Sequence, residues 1–131
     1  MGHIGLTPQS VLRMGGYKVQ GREQSAAQML LRDAKAIAEA GVFSMVLEGV
    51  PGKLAKLITE EVDVPTIGIG AGVHCDGQVL VFHDLLGMLP HKSPKFVRQY
   101  DDTHGRQVEA IHRWAADVRE GGFPSDKETY K

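Results

Sequence analysis

Apolar residues recur at three- and four-residue spacings between residues 22 and 40, where Ala27, Leu30, Leu31, Ala34, Ile37 and Ala38 form a stripe opposite Arg32, Asp33, Lys35 and Glu39. This spacing predicts an amphipathic helix, stopped by Gly41. The pattern then changes to a nearly continuous apolar run, residues 42–47, that ends at Glu48-Gly49. Such a run fits a strand covered on both faces. Helical spacing returns at 52–62, where Pro51 opens the segment and Leu54, Leu57, Ile58 and Val62 supply the buried stripe. A second strand is predicted over 64–69, with Pro65 near its start, where a missing N–H does least harm. A further strand is predicted over 78–83. Two helices follow, at about 94–102 and 105–120, the second burying Val108, Ile111, Ala115 and Val118 with Trp114 beside them. The polar end, residues 125–131, is expected to fray.

Strand, helix, strand, helix, strand is the order of an α/β fold with a parallel sheet and right-handed crossovers. One connection resists this scheme. The stretch between Ile69 and Gln78 is short for a parallel crossover, so either the crossover is stripped down or that pair is antiparallel. Residues 1–21 are rich in glycine, lack helical period and read as a strand end followed by a loop. That strand starts abruptly, as though only its last residues were present. A chain of 131 residues fits one domain.

Composition narrows the partners. Fifteen basic residues against sixteen acidic ones leave a formal charge of -1, which gives no field favouring nucleic acid or anionic lipid. A small molecule or another protein is the expected partner. The lone cysteine, Cys75, excludes an internal disulfide framework. No leader pattern or membrane-length apolar run is visible, so a cytoplasmic protein is expected.

In parallel α/β folds, ligands gather at the carboxyl ends of the strands. That rule selects His3, Glu48, the turn from Gly68 to Gly72, and His83-Asp84. A carboxylate directly after an apolar strand costs free energy unless it is paired or protonated. Glu48 is therefore either a site carboxylate suited to proton transfer or a glutamate that emerges into solvent or caps the next helix. The Gly68–Gly72 turn lacks both the third glycine of a dinucleotide fingerprint and the lysine of a P-loop, and reads best as a close-packed turn. His74-Cys75-Asp76 reads as a solvated loop rather than a nucleophile or metal cluster. The histidines show neither the helical pair nor the His/Cys spacing of a zinc site, so no metal ligands are assigned. His83 is expected on a buried strand with its hydrogen bonds met. Tyr17, Lys18 and Arg22 lie in a loop that either closes over an acid or is simply solvated.

Several stretches taken together resemble the ketopantoate (3-methyl-2-oxobutanoate) hydroxymethyltransferase family. They are Met1-Gly2-His3-Ile4-Gly5-Leu6-Thr7-Pro8-Gln9-Ser10, Gly15-Gly16-Tyr17-Lys18-Val19-Gln20-Gly21-Arg22, Val46-Leu47-Glu48-Gly49-Val50-Pro51, Ile67-Gly68-Ile69-Gly70-Ala71-Gly72 and Asp76-Gly77-Gln78-Val79-Leu80-Val81-Phe82-His83-Asp84. The resemblance implies a TIM (β/α)8 barrel of the phosphoenolpyruvate/pyruvate-like type. This chain would be its second half, strands five to eight followed by C-terminal helices, as a single partial domain over 1–131. It favours the parallel reading of the short crossover.

The implied reaction transfers a hydroxymethyl group from methylenetetrahydrofolate to 3-methyl-2-oxobutanoate, giving 2-dehydropantoate for pantothenate and coenzyme A synthesis. Mg²⁺ is the implied cofactor, chelated by the 2-oxo acid, with its protein ligands in the missing half. Glu48 matches the family's proton acceptor and His3 a histidine near the substrate, whereas Asp76, Asp84 and Lys18 match neither the metal-binding aspartates nor the substrate lysine. The implied partners are the 2-oxo acid, the folate, and either further copies of the chain or a separate N-terminal half. A half-barrel leaves two unpaired sheet edges. Three readings therefore stay open: part of this hydroxymethyltransferase, a non-catalytic association fragment, and another barrel enzyme acting on a different 2-oxo acid.

Overall fold

Four short strands, β1 (Gly2–Gly5), β2 (Met45–Glu48), β3 (Thr66–Ile69) and β4 (Gly77–Gln78), form one sheet in the order β1-β2-β3-β4 in the computed structural model, which describes residues 1–131. Every neighbouring pair is parallel. The chain divides into two compact units, Met1–Leu80 and Val81–Lys131, and the sheet belongs to the first.

The crossover between β1 and β2 carries α1 (Gln24–Glu39), and that between β2 and β3 carries α2 (Gly52–Glu61). Both helices form where the apolar stripes predict them, trimmed by a residue or two at the ends. Ala34 of α1 and Leu54, Ala55 and Ile58 of α2 are buried. They pack with Ile4, Met45, Leu47, Val50 and Ala71 into one core, with Ala27, Leu30, Leu31 and Ile37 against its margin. Side chains alternate across a strand, so this core uses only one face of the sheet. On β2, Met45 and Leu47 are buried, while Val46 and Glu48 of the opposite face are half-buried. The expected strand 42–47 is corrected in this respect. Pairing begins only at Met45, and Phe43 is 74% exposed.

The short connection between β3 and β4 is parallel, which resolves the alternative left open above. No helix is needed. β3 rises only about 10 Å, and residues 70–76 can span roughly 23 Å when extended. What fixes the return is a tether between strand starts. The Asp76 carboxylate accepts from the Thr66 backbone N–H at 2.8 Å and from the Thr66 hydroxyl at 3.1 Å, and the Thr66 and Thr59 hydroxyls meet at 2.8 Å.

The backbone bond first, and the hydroxyl second, hold the Asp76 carboxyl below its ordinary value of 3.8. A depressed carboxyl contributes stability that is complete above the unfolded value and is lost as pH falls through the folded one. Asp76→Ala should therefore cost about 1 kcal/mol near neutral pH, because the N–H of the fully buried Thr66 loses its acceptor. Urea denaturation should show this difference shrinking as the pH drops below 3.8.

Three expectations fail beyond this point. The strand expected over 78–83 pairs only as far as Gln78, opposite Gly68, with Val79 N–H still donating to the Gly68 carbonyl at 3.0 Å; β3 itself runs one residue further, to Ile69, before Gly70 turns away with φ +62. Phe82–Leu85 instead forms one helical turn, α3, on which His83 is exposed rather than held in a buried strand.

The helix expected over 94–102 is also absent. The N–H groups of Tyr100, Thr103 and His104 donate to the carbonyls of Leu85, Leu86 and Gly87, which commits that backbone to the end of α3. Finally, α4 (Thr103–Glu120) is present, with Asp102 capping its start through the Gly105 N–H and Gly121 ending it in the left-handed conformation. Its apolar stripe is not buried: Ile111 is 61% and Trp114 54% exposed. The pattern predicts a face that favours cover, not that these 131 residues supply the cover. No helix is long and apolar enough to cross a membrane.

Candidate functional site

The register aligns three strand ends side by side: Gly5 lies opposite Glu48, and Glu48 opposite Ile69. Glu48 is therefore the last residue of a strand paired on both sides. Its main chain is held firmly. The Glu48 carbonyl accepts from Leu6 N–H at 2.8 Å, Gly49 N–H donates to the Ile69 carbonyl at 2.9 Å, and Gln20 N–H donates to the Gly49 carbonyl at 2.8 Å. The last of these bonds pins the end of the 7–21 loop beside the strand end.

The Glu48 side chain points to the half-buried face, with Val46, Ile67 and Ile69 on the same face of neighbouring positions. His3 lies opposite Val46, one pleat before Glu48 on the adjoining strand. Long side chains reach each other across such a diagonal. His3 Nε2 stands 3.0 Å from Glu48 Oε2, with the glutamate side chain 14% and the histidine 35% exposed. The register of β1 and β2 thus brings together two of the residues that the sequence singles out. Of the two readings of Glu48, emergence into solvent is excluded by this burial, and the α2 N-terminus has no side-chain cap.

The other candidates lie apart from this pair or serve the fold. Tyr17 is 78% exposed, and the Lys18 carbonyl accepts from the Gln20 side chain. The Gly68–Gly72 turn is close-packed: Gln78 Nε2 donates to the Gly72 carbonyl at 2.9 Å, and a side chain at Gly68 would press on Cys75 Sγ. His74 is exposed, and burial raises the Cys75 thiol above its ordinary 9.0, the opposite of what a nucleophile needs. Asp76 is occupied with Thr66. His83 and Asp84 belong to the second unit. No group of three or more His, Cys, Asp or Glu side chains is arranged to hold a metal ion.

Beside β1 and α1 runs an open cleft of about 450 Å³, whose walls include His3, Thr7, Met14, Gln20, Asp33 and Ile37. His3 is one of its lining residues, and Glu48 is not. What sequence reasoning misses is the His3–Glu48 contact itself and the close approach of Gly5 to Glu48. Both depend on register. A fixed count of residues from each strand end was the only signal that could have indicated them.

A carboxylate and an imidazole paired on adjacent strands near the carboxyl edge of a parallel α/β sheet are groups capable of acid–base chemistry. Residues 1–126 match the model of the ketopantoate hydroxymethyltransferase family, and the chain belongs to that family. It is 58% identical over 130 residues to the 3-methyl-2-oxobutanoate hydroxymethyltransferase of Geobacter metallireducens, an alignment covering 99% of this chain and 49% of that protein. The protein of the same name from Carboxydothermus hydrogenoformans is 58% identical, with 99% and 47% covered. That from Clostridium acetobutylicum is 54% identical over 131 residues, with 100% and 48% covered. The chain spans about half the length of these curated relatives.

Proposed function

We propose that this chain is the C-terminal half of a (β/α)8-barrel 3-methyl-2-oxobutanoate hydroxymethyltransferase and that Glu48 is its proton acceptor. The observation that carries this reading is the Glu48 carboxylate, mostly shielded from water and fixed at the rim of the sheet by neighbours on both sides. The barrel reading draws support from a parallel sheet in sequential order, open at β1 and β4. It also draws support from a second face that is only half-covered and from an open cleft along β1. Those are the places a further set of βα units would occupy.

In the proposed reaction Glu48 removes the proton from C3 of 3-methyl-2-oxobutanoate. The C–H electron pair passes into the enolate, and Glu48 becomes a carboxylic acid. Water supplies the hydroxyl oxygen: it adds to the one-carbon unit of methylenetetrahydrofolate, both C–N bonds break, and tetrahydrofolate leaves with the two hydrogens of that water on its nitrogens. The enolate carbon bonds to the formaldehyde so released, and the alkoxide takes back the proton held by Glu48, giving 2-dehydropantoate. Fixing the base before substrate arrives avoids the cost of orienting it during reaction. The Mg²⁺ implied by resemblance does not fit the residues present, which form no cluster of donors. No step of this chain's chemistry is derived through it.

The chain combined with an N-terminal half from a full-length relative should exchange deuterium from solvent into 3-methyl-2-oxobutanoate, with Mg²⁺ in the buffer, as followed by proton NMR. A complex that forms yet shows no exchange refutes the enzyme reading. That outcome would favour the association reading, for which the exposed face of α4 and the open sheet edges speak.

A further inference from the structure

The resemblance places His3 near substrate, but its Nε2 is already committed to Glu48. We propose that His3 is a positioning residue: it donates Nε2–H to Oε2 of Glu48 and so fixes the orientation of the carboxylate that receives the substrate proton. This rests on the reading of Glu48 as the base.

The assignment follows from hydrogen-bond chemistry. An ionised carboxylate only accepts, and a ring nitrogen 3.0 Å away must therefore carry the hydrogen. A bare Nε2 at that distance would set two lone pairs against each other. Neutral His3 is thus the Nε2–H tautomer, with Nδ1 as its acceptor, and a charged His3 would donate from the same nitrogen. Either way one lone pair of Oε2 is engaged by His3, and the carboxylate keeps others that can take up a proton. Proton uptake at a lone pair that His3 does not engage leaves the bond intact, with Nε2–H still donating to Oε2.

The geometry is also rigid. Both residues lie on paired strands in fixed register, so the bond needs little ordering of loops or long flexible side chains. Rotation of the carboxylate about its last torsion is broad and nearly two-fold when free. A single donor from the adjoining strand selects one orientation, and small misplacements of a catalytic group cost large factors in rate.

Three substitutions separate positioning from substrate contact. The amide nitrogen of glutamine lies at the same branch level as Nε2, whereas that of asparagine corresponds to Nδ1. In the exchange assay, His3→Leu should lower kcat by about tenfold or more with KM within about twofold of wild type. His3→Gln should restore most of the rate, and His3→Asn should not. Ring-nitrogen NMR on the labelled 131-residue chain should show His3 in the Nε2–H form when neutral, and Glu48→Leu should release that preference.

A His3→Leu variant that raises KM while keeping kcat overturns the proposal, as does an Nδ1–H form or an even tautomer mixture in the wild-type chain. Failure here is distinguishable from failure of the base reading. If Glu48→Gln abolishes exchange while His3→Leu affects only KM, the positioning role alone falls; wild-type exchange in Glu48→Gln removes the base reading itself.

Discussion

Replacing Glu48 by glutamine is expected to lower deuterium exchange into 3-methyl-2-oxobutanoate by about 10²- to 10⁴-fold, the range a positioned general base contributes. The substitution is chosen because it changes little else. Glutamine has the same length, and its amide oxygen still accepts from His3 Nε2, so the contact at 3.0 Å survives in form. The main-chain bonds of residue 48 to Leu6 and of Gly49 to Ile69 do not involve the side chain. What disappears is the capacity to take up a proton. Stability by urea denaturation should therefore stay within about 1 kcal/mol of wild type, as for substitutions that keep volume and hydrogen bonding. Exchange at the wild-type rate in a folded Glu48→Gln protein would place the base elsewhere. Glu48→Asp offers a second comparison, since it keeps the charge but withdraws the carboxylate by one methylene from His3; misplacement on this scale costs on the order of 10² in rate.

How far the sequence reveals this arrangement depends on how local the determinant is. The stripes of α1 and α2 are set by nearby residues, and both helices form where the spacing predicts them. The rule that ligands gather at strand carboxyl ends selects Glu48 and His3 before any coordinates. Other features depend on partners far away in the chain. The strand at Gln78 can extend only as far as β3, which ends at Ile69, lets it, however well Val79-Leu80-Val81 suits a strand. The segment 94–102 stays non-helical because its flanking N–H groups find the carbonyls of Leu85, Leu86 and Gly87. The Thr66–Asp76 tether that makes a short crossover workable joins two residues whose types suggest no pairing. The exposed stripe of α4 shows the converse, a pattern read correctly whose cover these residues do not provide.

The same dependence on register makes Gly5→Ala the substitution with the largest expected effect on the fold around the site. Gly5 has φ +86, and a Cβ there would land on the carbonyl oxygen of Glu48 and 2.7 Å from Val50 Cγ1. The first obstacle is backbone of the central strand β2, which cannot rotate out of the way as a side-chain tip can. That carbonyl also accepts the Leu6 N–H, so moving it breaks the bond that ties the end of β1 to β2. A positive φ costs about 1–2 kcal/mol for a residue with a Cβ, and forcing an extra carbon into a packed place adds about 1–3 kcal/mol. Together these give about 3 kcal/mol, a large part of the 5–15 kcal/mol that holds an ordinary domain together.

Gly16 supplies the control. Its φ is +109, yet a Cβ there meets nothing within 4 Å, so Gly16→Ala carries only the backbone cost. Urea denaturation should place Gly5→Ala at least about 1 kcal/mol below Gly16→Ala, by the overpacking contribution alone. Exchange activity should fall with it, because any shift that relieves the clash moves the backbone of Glu48, and a displacement near 1 Å costs on the order of 10² in rate. Equal stabilities for the two variants would mean that β1 and β2 do not approach each other at Gly5 as described. A Gly5→Ala protein that is destabilised but fully active would separate the strand end from the base, and with it the claim that the sheet register is what places Glu48.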